Sequence, residues 1–283
     1  MRAIPFWMSV AIVGGSFLLA FIAEELAPLR RRREPKLRRT IRNLTTGGIS
    51  FAFLSLLQLP LLLPVARWTE ENGIGLLNAI ELSRALEIAL AVILLDYTLW
   101  WWHWANHMVP FFWRFHLVHH VDRDLDASTA LRFHFGELIL SIGYRAIQIA
   151  VLGADPLSLS IWQAVLFVSI LFHHANWRLP FAIERFLVRV IVTPRMHGIH
   201  HSTVRSETNS NWSSLFSAWD YLHGTMLLNV PHEAIEIGVP AYRDPHEVTI
   251  GKLLALPFRR QRLDWQAETS RTTDEMRRRL LSA

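Results

Sequence analysis

The feature that most limits the fold of this chain is a series of long stretches without charged residues. Residues 5–23, 43–66 and 157–177 contain no Asp, Glu, Lys or Arg, and a further apolar run begins near residue 85. A helix needs about 20 mainly apolar residues to cross the hydrocarbon core of a bilayer. Open-edged or irregular backbone cannot face lipid, because its polar groups would stay unpaired. The pattern therefore predicts an all-α, multi-pass membrane protein with about four transmembrane helices.

Composition supports this class and excludes several kinds of site. Hydrophobic residues make up 51% of the 283 positions, and Trp occurs 12 times, which favours a membrane protein over a soluble one. The net charge of +5 is clustered in sequence, so it does not indicate a nucleic-acid partner. There is no Cys, which excludes disulfides, iron–sulfur clusters and thiolate metal sites. Any metal must be held by His, Asp or Glu.

The basic residues indicate how the chain is oriented in the membrane. Arg2 alone precedes the first apolar stretch, whereas eight basic residues follow it: Arg30, Arg31, Arg32, Arg33, Lys36, Arg38, Arg39 and Arg42. A cleaved signal peptide has the opposite asymmetry, and cytoplasmic loops are enriched in Lys and Arg. We therefore expect a retained helix over residues 5–26, a cytoplasmic loop after it, and an outward helix over residues 43–66 that its two prolines kink or end.

The later apolar segments predict a return to the cytoplasmic side and a hairpin. The third helix begins near residue 85 and ends in the Trp-rich residues 99–104, as expected at a membrane interface. Residues 136–151 and 157–177 flank Gly-Ala-Asp-Pro at 153–156, which is a turn signal. The simplest interpretation is a helical hairpin that dips into the membrane and comes back.

We treat residues 1–283 as a single membrane domain. Its predicted core covers residues 85–225 and includes an amphipathic, interfacial piece over residues 179–193. Residues 226–283 are expected to form a charged cytoplasmic tail, with a solvated helix over residues 259–281.

Nine histidines carry the chemistry that the sequence predicts. Three clusters and one single residue supply them: His103 and His107; His116, His119 and His120; His197, His200 and His201; and His174. Residues three and four apart on a helix share a face, so each cluster can aim its imidazoles at one point. Neutral imidazole suits zinc, copper, iron and nickel, and a tetrahedral zinc takes about four ligands. Nine imidazoles therefore predict two metals, in a histidine-rich helical cap on the cytoplasmic side.

Several carboxylates and amides could orient a ligating histidine. Asp96 lies seven residues before His103, on the same helical face, and could bond a histidine or pair with an Arg. Four further candidates are Asp122, Asn176, Asn211 and Asp220, which could equally be local caps or turns. We expect His173, which diverges from His174 by about 100° on a helix, to be structural. The histidines outside any cluster, His223, His232 and His246, are expected to be ordinary polar residues.

The order and spacing of the clusters resemble the membrane fatty acid hydroxylase and sterol desaturase superfamily. The likeness covers roughly residues 96–225 and includes Arg132-Phe133-His134 and His174-Ala175-Asn176. Trp219-Asp220 followed by Gly224-Thr225 is similar to the end of the family's pattern, although His223 stands where Phe is usual.

The resemblance implies a non-haem di-iron centre that uses O₂ to hydroxylate or desaturate a lipid. The ligands that it implies are His103, His107, His116, His119, His120, His174, His197, His200 and His201, with His134 as a tenth. His134 could instead be a packed core residue between two phenylalanines. All-imidazole ligation leaves much of the metal charge uncompensated, which favours binding of anionic oxygen species. Electrons would come from an external electron-transfer protein, and the lipid could be a sterol, fatty acyl chain, sphingolipid, ether lipid or carotenoid.

Two other functions remain open at this point. A zinc-dependent membrane hydrolase would need an open metal position and a carboxylate base, and no HExxH motif is present. The chain could also be a bis-histidine haem protein or a metal carrier without enzymatic activity. Haem needs one axial histidine from each of two spans, which leaves most of the clusters idle. Metal analysis and an optical spectrum distinguish these functions.

Overall fold

The computed structural model describes residues 3–231 and 234–262. Regular structure in these ranges is helical, and apart from isolated bridges they contain no strand. The helices are α1 (Phe6–Leu26), α2 (Lys36–Glu71), α3 (Arg84–Met108), α4 (Pro110–His120), α5 (Phe135–Leu152), α6 (Pro156–His174), α7 (Phe181–Leu187), α8 (Pro194–His200), α9 (Arg205–Thr208), α10 (Ala218–His223) and α11 (Ile250–Ala255).

Four of the described helices are long and apolar enough to cross a membrane. They are Trp7–Leu26, Arg84–Met108, Phe135–Leu152 and Pro156–His174. Helix α2 is a further candidate, bent by 45° between Lys36–Leu57 and Pro60–Glu71, so it is a broken span or a re-entrant segment. Proline lacks the N–H that a helix interior requires, which explains a bend at this place. The predicted all-α integral membrane architecture is confirmed.

Helices α2, α3, α5 and α6 share one apolar core. Helix α2 packs along α5, and α6 lies between α1 and α3. Buried side chains at the centre include Leu62 of α2, Leu95 of α3, Ile149 of α5 and Trp162 of α6.

The predicted turn between α5 and α6 is confirmed, and polar contacts hold this end of the bundle together. Gly153 ends α5 in the left-handed region at φ 73°, and Asp155 caps α6 through Leu157 N. The Asp155 carboxylate also pairs with Arg84 at the start of α3 at 2.7 Å. The start of α3 and the α5–α6 turn are thereby held together.

The opposite end of the bundle carries a cap, formed by α4 and α7–α11 with their loops. Helices α1, α3 and α6 end there, and α2 and α5 begin there, so the histidine clusters and the basic run lie at one end. The run is also part of the cap itself: the Arg39 guanidinium lies 2.8 Å from Asp122, and Arg30 donates to the Pro194 carbonyl at 2.9 Å. These arginines therefore stabilise the cap.

Part of the expected tail belongs to the folded cap. Val239, Tyr242, Val248 and Leu253 are buried in one apolar cluster with residues of α4. This segment covers the outer face of the helix that carries the second histidine cluster, because the exposed α4 would otherwise leave apolar side chains in water. The helix expected at 259–281 lies almost wholly outside the described residues, as does His232.

Candidate metal centre

The nine clustered histidines come from four short stretches that converge beneath the cap. His103 and His107 lie in the last two turns of α3, and His174 is the last residue of α6. Helix α4 supplies three imidazoles, and α8 with the residue that follows it supplies three more. Pro194 starts α8, and Thr193 caps it, so the seven-residue helix has a defined beginning.

The structure divides these histidines into two groups, each of which could hold a metal ion. Site 1 contains His103, His107, His116, His120 and His200; site 2 contains His119, His174, His197 and His201. Within each group the ligand atoms all lie within 4.8 Å of one another. Each His-x-x-His-His cluster contributes to both sites, because positions i and i+4 share a helical face and i+3 is rotated away from i+4.

Outward hydrogen bonds fix which nitrogen of several rings carries the proton. Nδ1 of a ring donates to a backbone carbonyl in four cases: His103 to Trp212 at 2.7 Å, His174 to Ile170 at 2.8 Å, His200 to Ser210 at 2.8 Å and His119 to Arg132 at 3.3 Å. A carbonyl only accepts, so Nδ1 holds the hydrogen in each ring. The Nε2 atom of each neutral ring is therefore left with a lone pair that points inward.

These lone pairs face one another inside a buried space. Nε2 of His174 lies 3.0 Å from Nε2 of His119, and neither atom carries a proton to share. In the same site, Nε2 of His197 lies 3.0 Å from that of His174. Nε2 of His200 in site 1 is buried without a hydrogen-bond partner. Convergent lone pairs repel unless a cation lies between them, so the donor set fits a transition metal in each site.

The surroundings keep the cap imidazoles neutral. Burial lowers the pKa of His119, His120, His197 and His201 well below the ordinary histidine value. Burial also lowers the pKa of His200 to about 3, although its bond to the Ser210 carbonyl opposes the shift. Neutral imidazole is the form that binds metal, so these rings are ready to act as ligands at neutral pH.

A carboxylate that the sequence analysis missed contacts site 1. Glu137, in the first turn of α5, lies with Oε1 2.9 Å from Nδ1 of His116. A carboxylate on the outer nitrogen of a ligating imidazole fixes its orientation and raises its basicity. The sequence gives little indication of this role for Glu137, since an acidic residue in a first helical turn is expected from the helix dipole alone.

None of the five predicted orienting residues has a described hydrogen bond to a clustered histidine. Asp96 bonds neither a histidine nor an arginine: it accepts from Trp219 Nε1 at 2.7 Å and from Phe216 N at 3.0 Å. These two bonds tie α3 to α10 and to the loop before it. Asn176 holds the backbone of Arg30, and Asn211 holds that of Met196, so both amides are scaffold residues.

Asp122 and Asp220 reach the sites through one intervening residue. Asp122 pairs with Arg132, whose carbonyl receives His119. Burial raises the pKa of Asp122, but Arg132 and the other adjacent arginines outweigh burial and hold that pKa below its usual range. Asp220 accepts from Trp212 N at 3.0 Å, and the Trp212 carbonyl receives His103.

The remaining histidines are placed outside both groups. Nδ1 of His134 accepts from Gly136 N at 2.9 Å, and its Nε2 lies 3.1 Å from the Leu254 carbonyl, so both ring nitrogens are occupied. His134 is therefore an N-cap of α5, and the structure does not bring it to either site. His173 is buried beside His197 but belongs to neither group. His223 stacks on Trp100, and His246 is exposed.

An apolar cavity runs from the histidines into the bundle. Its volume is about 110 Å³, and imidazole rings of both sites form one end of it. Leu54, Leu99, Leu138, Leu166 and Phe167 are among the residues that line it further in.

Comparison with known proteins matches about half of the chain to a family. Residues 88–225 match the family described as fatty acid hydroxylase. Among curated relatives, an ornithine lipid hydroxylase of Rhizobium tropici is 30% identical over 182 residues, which is 62% of this chain and 52% of that protein. Cholesterol 25-hydroxylase of Rattus norvegicus is 26% identical over 163 residues, 56% of this chain and 53% of that protein.

A third relative, human alkylglycerol monooxygenase, is 29% identical over 135 residues, 46% of this chain and 28% of that protein. The chain spans about half the length of the first two relatives. No solved structure gives a significant match. Residues 88–225, which contain all nine predicted histidine ligands, match the fatty acid hydroxylase family, and this match supports the resemblance to the fatty acid hydroxylase and sterol desaturase superfamily.

Proposed function

We propose that this protein is a membrane-bound, O₂-dependent, non-haem di-iron oxidoreductase that hydroxylates, or desaturates, a membrane lipid. The observation that supports this most is that two buried all-imidazole sites share one apolar cavity. The names of the three relatives, two lipid hydroxylases and a monooxygenase, support the reaction class.

The nine imidazoles would hold one iron in site 1 and one in site 2. When bound, the iron pair supplies the activation of O₂ and the oxidising power for the attack on a C–H bond. The chain's own part is to present Nε2 lone pairs at fixed positions, with Glu137 orienting His116 and backbone carbonyls orienting four other rings. Neutral ligands leave the metal charge uncompensated, which favours anionic oxygen species at the centre.

The cavity would hold the lipid chain against the centre. Its apolar walls exclude water and restrict how the chain can lie, and the position of the chain decides between hydroxylation and desaturation. Hydroxylation consumes one O₂, two electrons and two protons, and it releases the second oxygen atom as water. The two electrons must be supplied from outside the lipid.

We further propose that the sites face the cytoplasm and that a separate, acidic electron-transfer protein docks on the cap. The basic run lies at the same end as the histidines, and such runs favour the cytoplasmic side. His107 lines an open cleft in the cap together with Arg114 and Arg205. A basic rim beside a ligand attracts an acidic partner, so the rate of electron delivery should fall as ionic strength rises.

Lipid analysis of cells with and without the gene tests the reaction. We expect a lipid class to gain one oxygen or lose two hydrogens, and we expect His119→Ala in site 2 and His200→Ala in site 1 each to abolish the change. The control is His246→Ala, which alters an exposed histidine outside both sites and should leave the change intact. Full turnover in both site variants would refute the ligand assignment.

Metal analysis of protein purified without oxygen tests the cofactor. We expect close to two iron ions per chain, and fewer in each site variant. A hydrolysed lipid together with zinc dependence would indicate a hydrolase instead, and a Soret band would indicate a haem protein. Zinc content alone decides nothing, because zinc binds imidazole sites more tightly than iron(II) does.

A further inference from the structure

An arginine in the middle of a membrane span has no described anionic partner. Arg145 lies in α5, and its side chain lines the cavity that leads to the histidines. Among the residues that the structure describes, it makes no ion pair and no side-chain hydrogen bond; its guanidinium carbon lies 6.0 Å from the ring centre of Trp162. A charge inside a bilayer is costly without a partner, and such residues mark binding sites and transport pathways.

The position of Arg145 along α5 gives its distance from the metal sites. Glu137, on the same helix, contacts His116 and therefore marks the level of site 1. Arg145 follows eight residues later, so its Cα lies roughly 12 Å further along the helix axis at about 1.5 Å per residue. The cavity thus has histidines at one end and an arginine well inside the bundle.

The walls between these two ends are mainly apolar, and most polar groups there are already bonded. Tyr144 donates to the Thr98 carbonyl at 2.5 Å, and Ser141 donates to the Leu138 carbonyl at 2.7 Å. The leucine and phenylalanine side chains of the cavity fill the intervening length. The guanidinium of Arg145 therefore has N–H groups that can donate hydrogen bonds to a ligand in the cavity.

Two glutamines extend this polar end. Gln148 and Gln163 also line the cavity. Gln148 lies about 11 residues after Glu137 on α5, and Gln163 lies about 11 residues before His174 on α6, so both are well away from the histidine end. Gln148 donates to Thr98 Oγ1 at 2.6 Å. Its Oε1 is buried without a partner. The deep end of the cavity therefore offers a cation and amide groups, as an amphipathic ligand with a polar head requires.

We propose that Arg145 binds the anionic head group of a single-chain lipid, whose hydrocarbon chain extends through the cavity to the two histidine sites. The guanidinium fork matches the oxygens of a carboxylate or a phosphate, and the pairing would neutralise the intramembrane charge. The apolar walls would contact the chain. The inference rests on the proposed function for what happens at the far end of the chain, but the binding itself requires no turnover.

The geometry also restricts where the lipid is oxidised. A head group held at Arg145 places the carbon that meets the histidine sites roughly 12 Å away along α5. The reaction is thus directed to a carbon far from the head group, and the carbon next to it lies out of reach.

Binding of matched single-chain probes to the purified full-length protein in nanodiscs tests the proposal. The probes share one chain length and carry a carboxylate, its methyl ester, a primary alcohol or a monoalkyl phosphate. We expect an anionic probe to bind at least about tenfold more tightly than the ester, because hydrogen bonds to charged groups are the stronger ones. A tighter carboxylate identifies a fatty acid as the ligand class, and a tighter phosphate identifies a lysophospholipid-like head.

Three variants assign the preference to Arg145. Arg145→Gln should bind the acid and the ester equally, Arg145→Lys should retain part of the preference, and Arg189→Gln, which alters an exposed arginine of the cap, should behave as the unaltered protein does. The melting temperature serves as the check that each variant is folded. An unchanged preference in Arg145→Gln, or no preference in the unaltered protein, overturns the proposal.

The same measurements separate this inference from the proposed function. If the chain binds no iron and oxidises no lipid, the preference for the acid probe and its loss in Arg145→Gln can still be measured, and they still decide the inference. If the iron content and lipid oxidation are intact but charged and neutral probes bind alike, only the inference fails.

Discussion

Nδ1 of His116 and Oε1 of Glu137 lie 2.9 Å apart, and this contact joins the helix that carries three imidazoles to the helix that forms one wall of the cavity. The two residues are 21 positions apart in sequence. The contact holds the ring of His116 in one orientation, so the geometry of site 1 depends on where α5 begins.

Replacing Glu137 by Gln should weaken metal binding at site 1. The amide keeps the shape of the side chain but loses the charge that raises the basicity of His116, and such changes cost about 10–100-fold in metal affinity. Competition with a chelator, followed by metal analysis, measures the effect. Glu247→Gln, which alters a carboxylate on the cap surface, is the control; equal affinity in both variants would contradict the role given to Glu137.

Asp220→Asn and Asp122→Asn should affect different sites. Asp220 fixes Trp212, which holds His103 in site 1, whereas Asp122 fixes Arg132, which holds His119 in site 2. Each carboxylate also has further partners. Loss of one partner from a buried ion pair costs about 3–5 kcal/mol, so the Asp122 variant, which loses the charge that pairs with Arg132, should be the less stable of the two. Metal content per chain, measured at a temperature where both variants are folded, reports the selectivity. Equal losses from both sites in each variant would argue against these two relays.

Two adjacent glycines of α2 should respond in opposite ways to alanine. A Cβ on Gly47 would overlap the Leu131 carbonyl, whereas a Cβ on Gly48 would meet nothing within 4 Å. Gly47→Ala should destabilise the protein by about 1–3 kcal/mol through overpacking, and it should also disturb the neighbouring Arg132 carbonyl that holds His119. Gly48→Ala should be neutral, or stabilising by up to about 1 kcal/mol, because helical glycine is entropically unfavourable. Thermal unfolding of the pair measures the difference, and similar melting temperatures would refute the close approach.

The metal-free protein should lose stability as pH falls below about 6.5, the ordinary histidine value. Burial lowers the folded-state pKa of the cap histidines, for His200 to about 3. Between these two pH values the unfolded chain binds more protons than the folded one, so the free energy of unfolding rises with pH and is fully present only above about 6.5. Melting temperatures with excess chelator from pH 7.5 to pH 5 test this. A metal-free protein whose melting temperature is constant over that interval would show that these rings are not buried as described.

The site was predictable from the sequence to the extent that it depends on local periodicity. The spacing of His116, His119 and His120 predicts that these imidazoles can converge, because the period of a helix does not depend on what surrounds it. The prediction that all three aim at one point is wrong, since the structure places His119 in a different site from the other two. The long uncharged stretches likewise determine which segments can cross a membrane. The tail and His134 were harder to place, since a few apolar residues that cover α4, or a helix cap, leave no periodic signal.

The sequence by itself determined that this is a helical membrane protein, that eight histidines recur at helical spacings, and that the chain has no thiolate ligand to offer. Only the tertiary structure decided that these eight and His174 divide into groups of five and four, that Glu137 orients His116, and that Arg145 points into the same cavity as the histidines. The reason is physical: a residue's face on its own helix follows from local backbone geometry, whereas its neighbours on other helices follow from how those helices pack and where their connections allow them to lie.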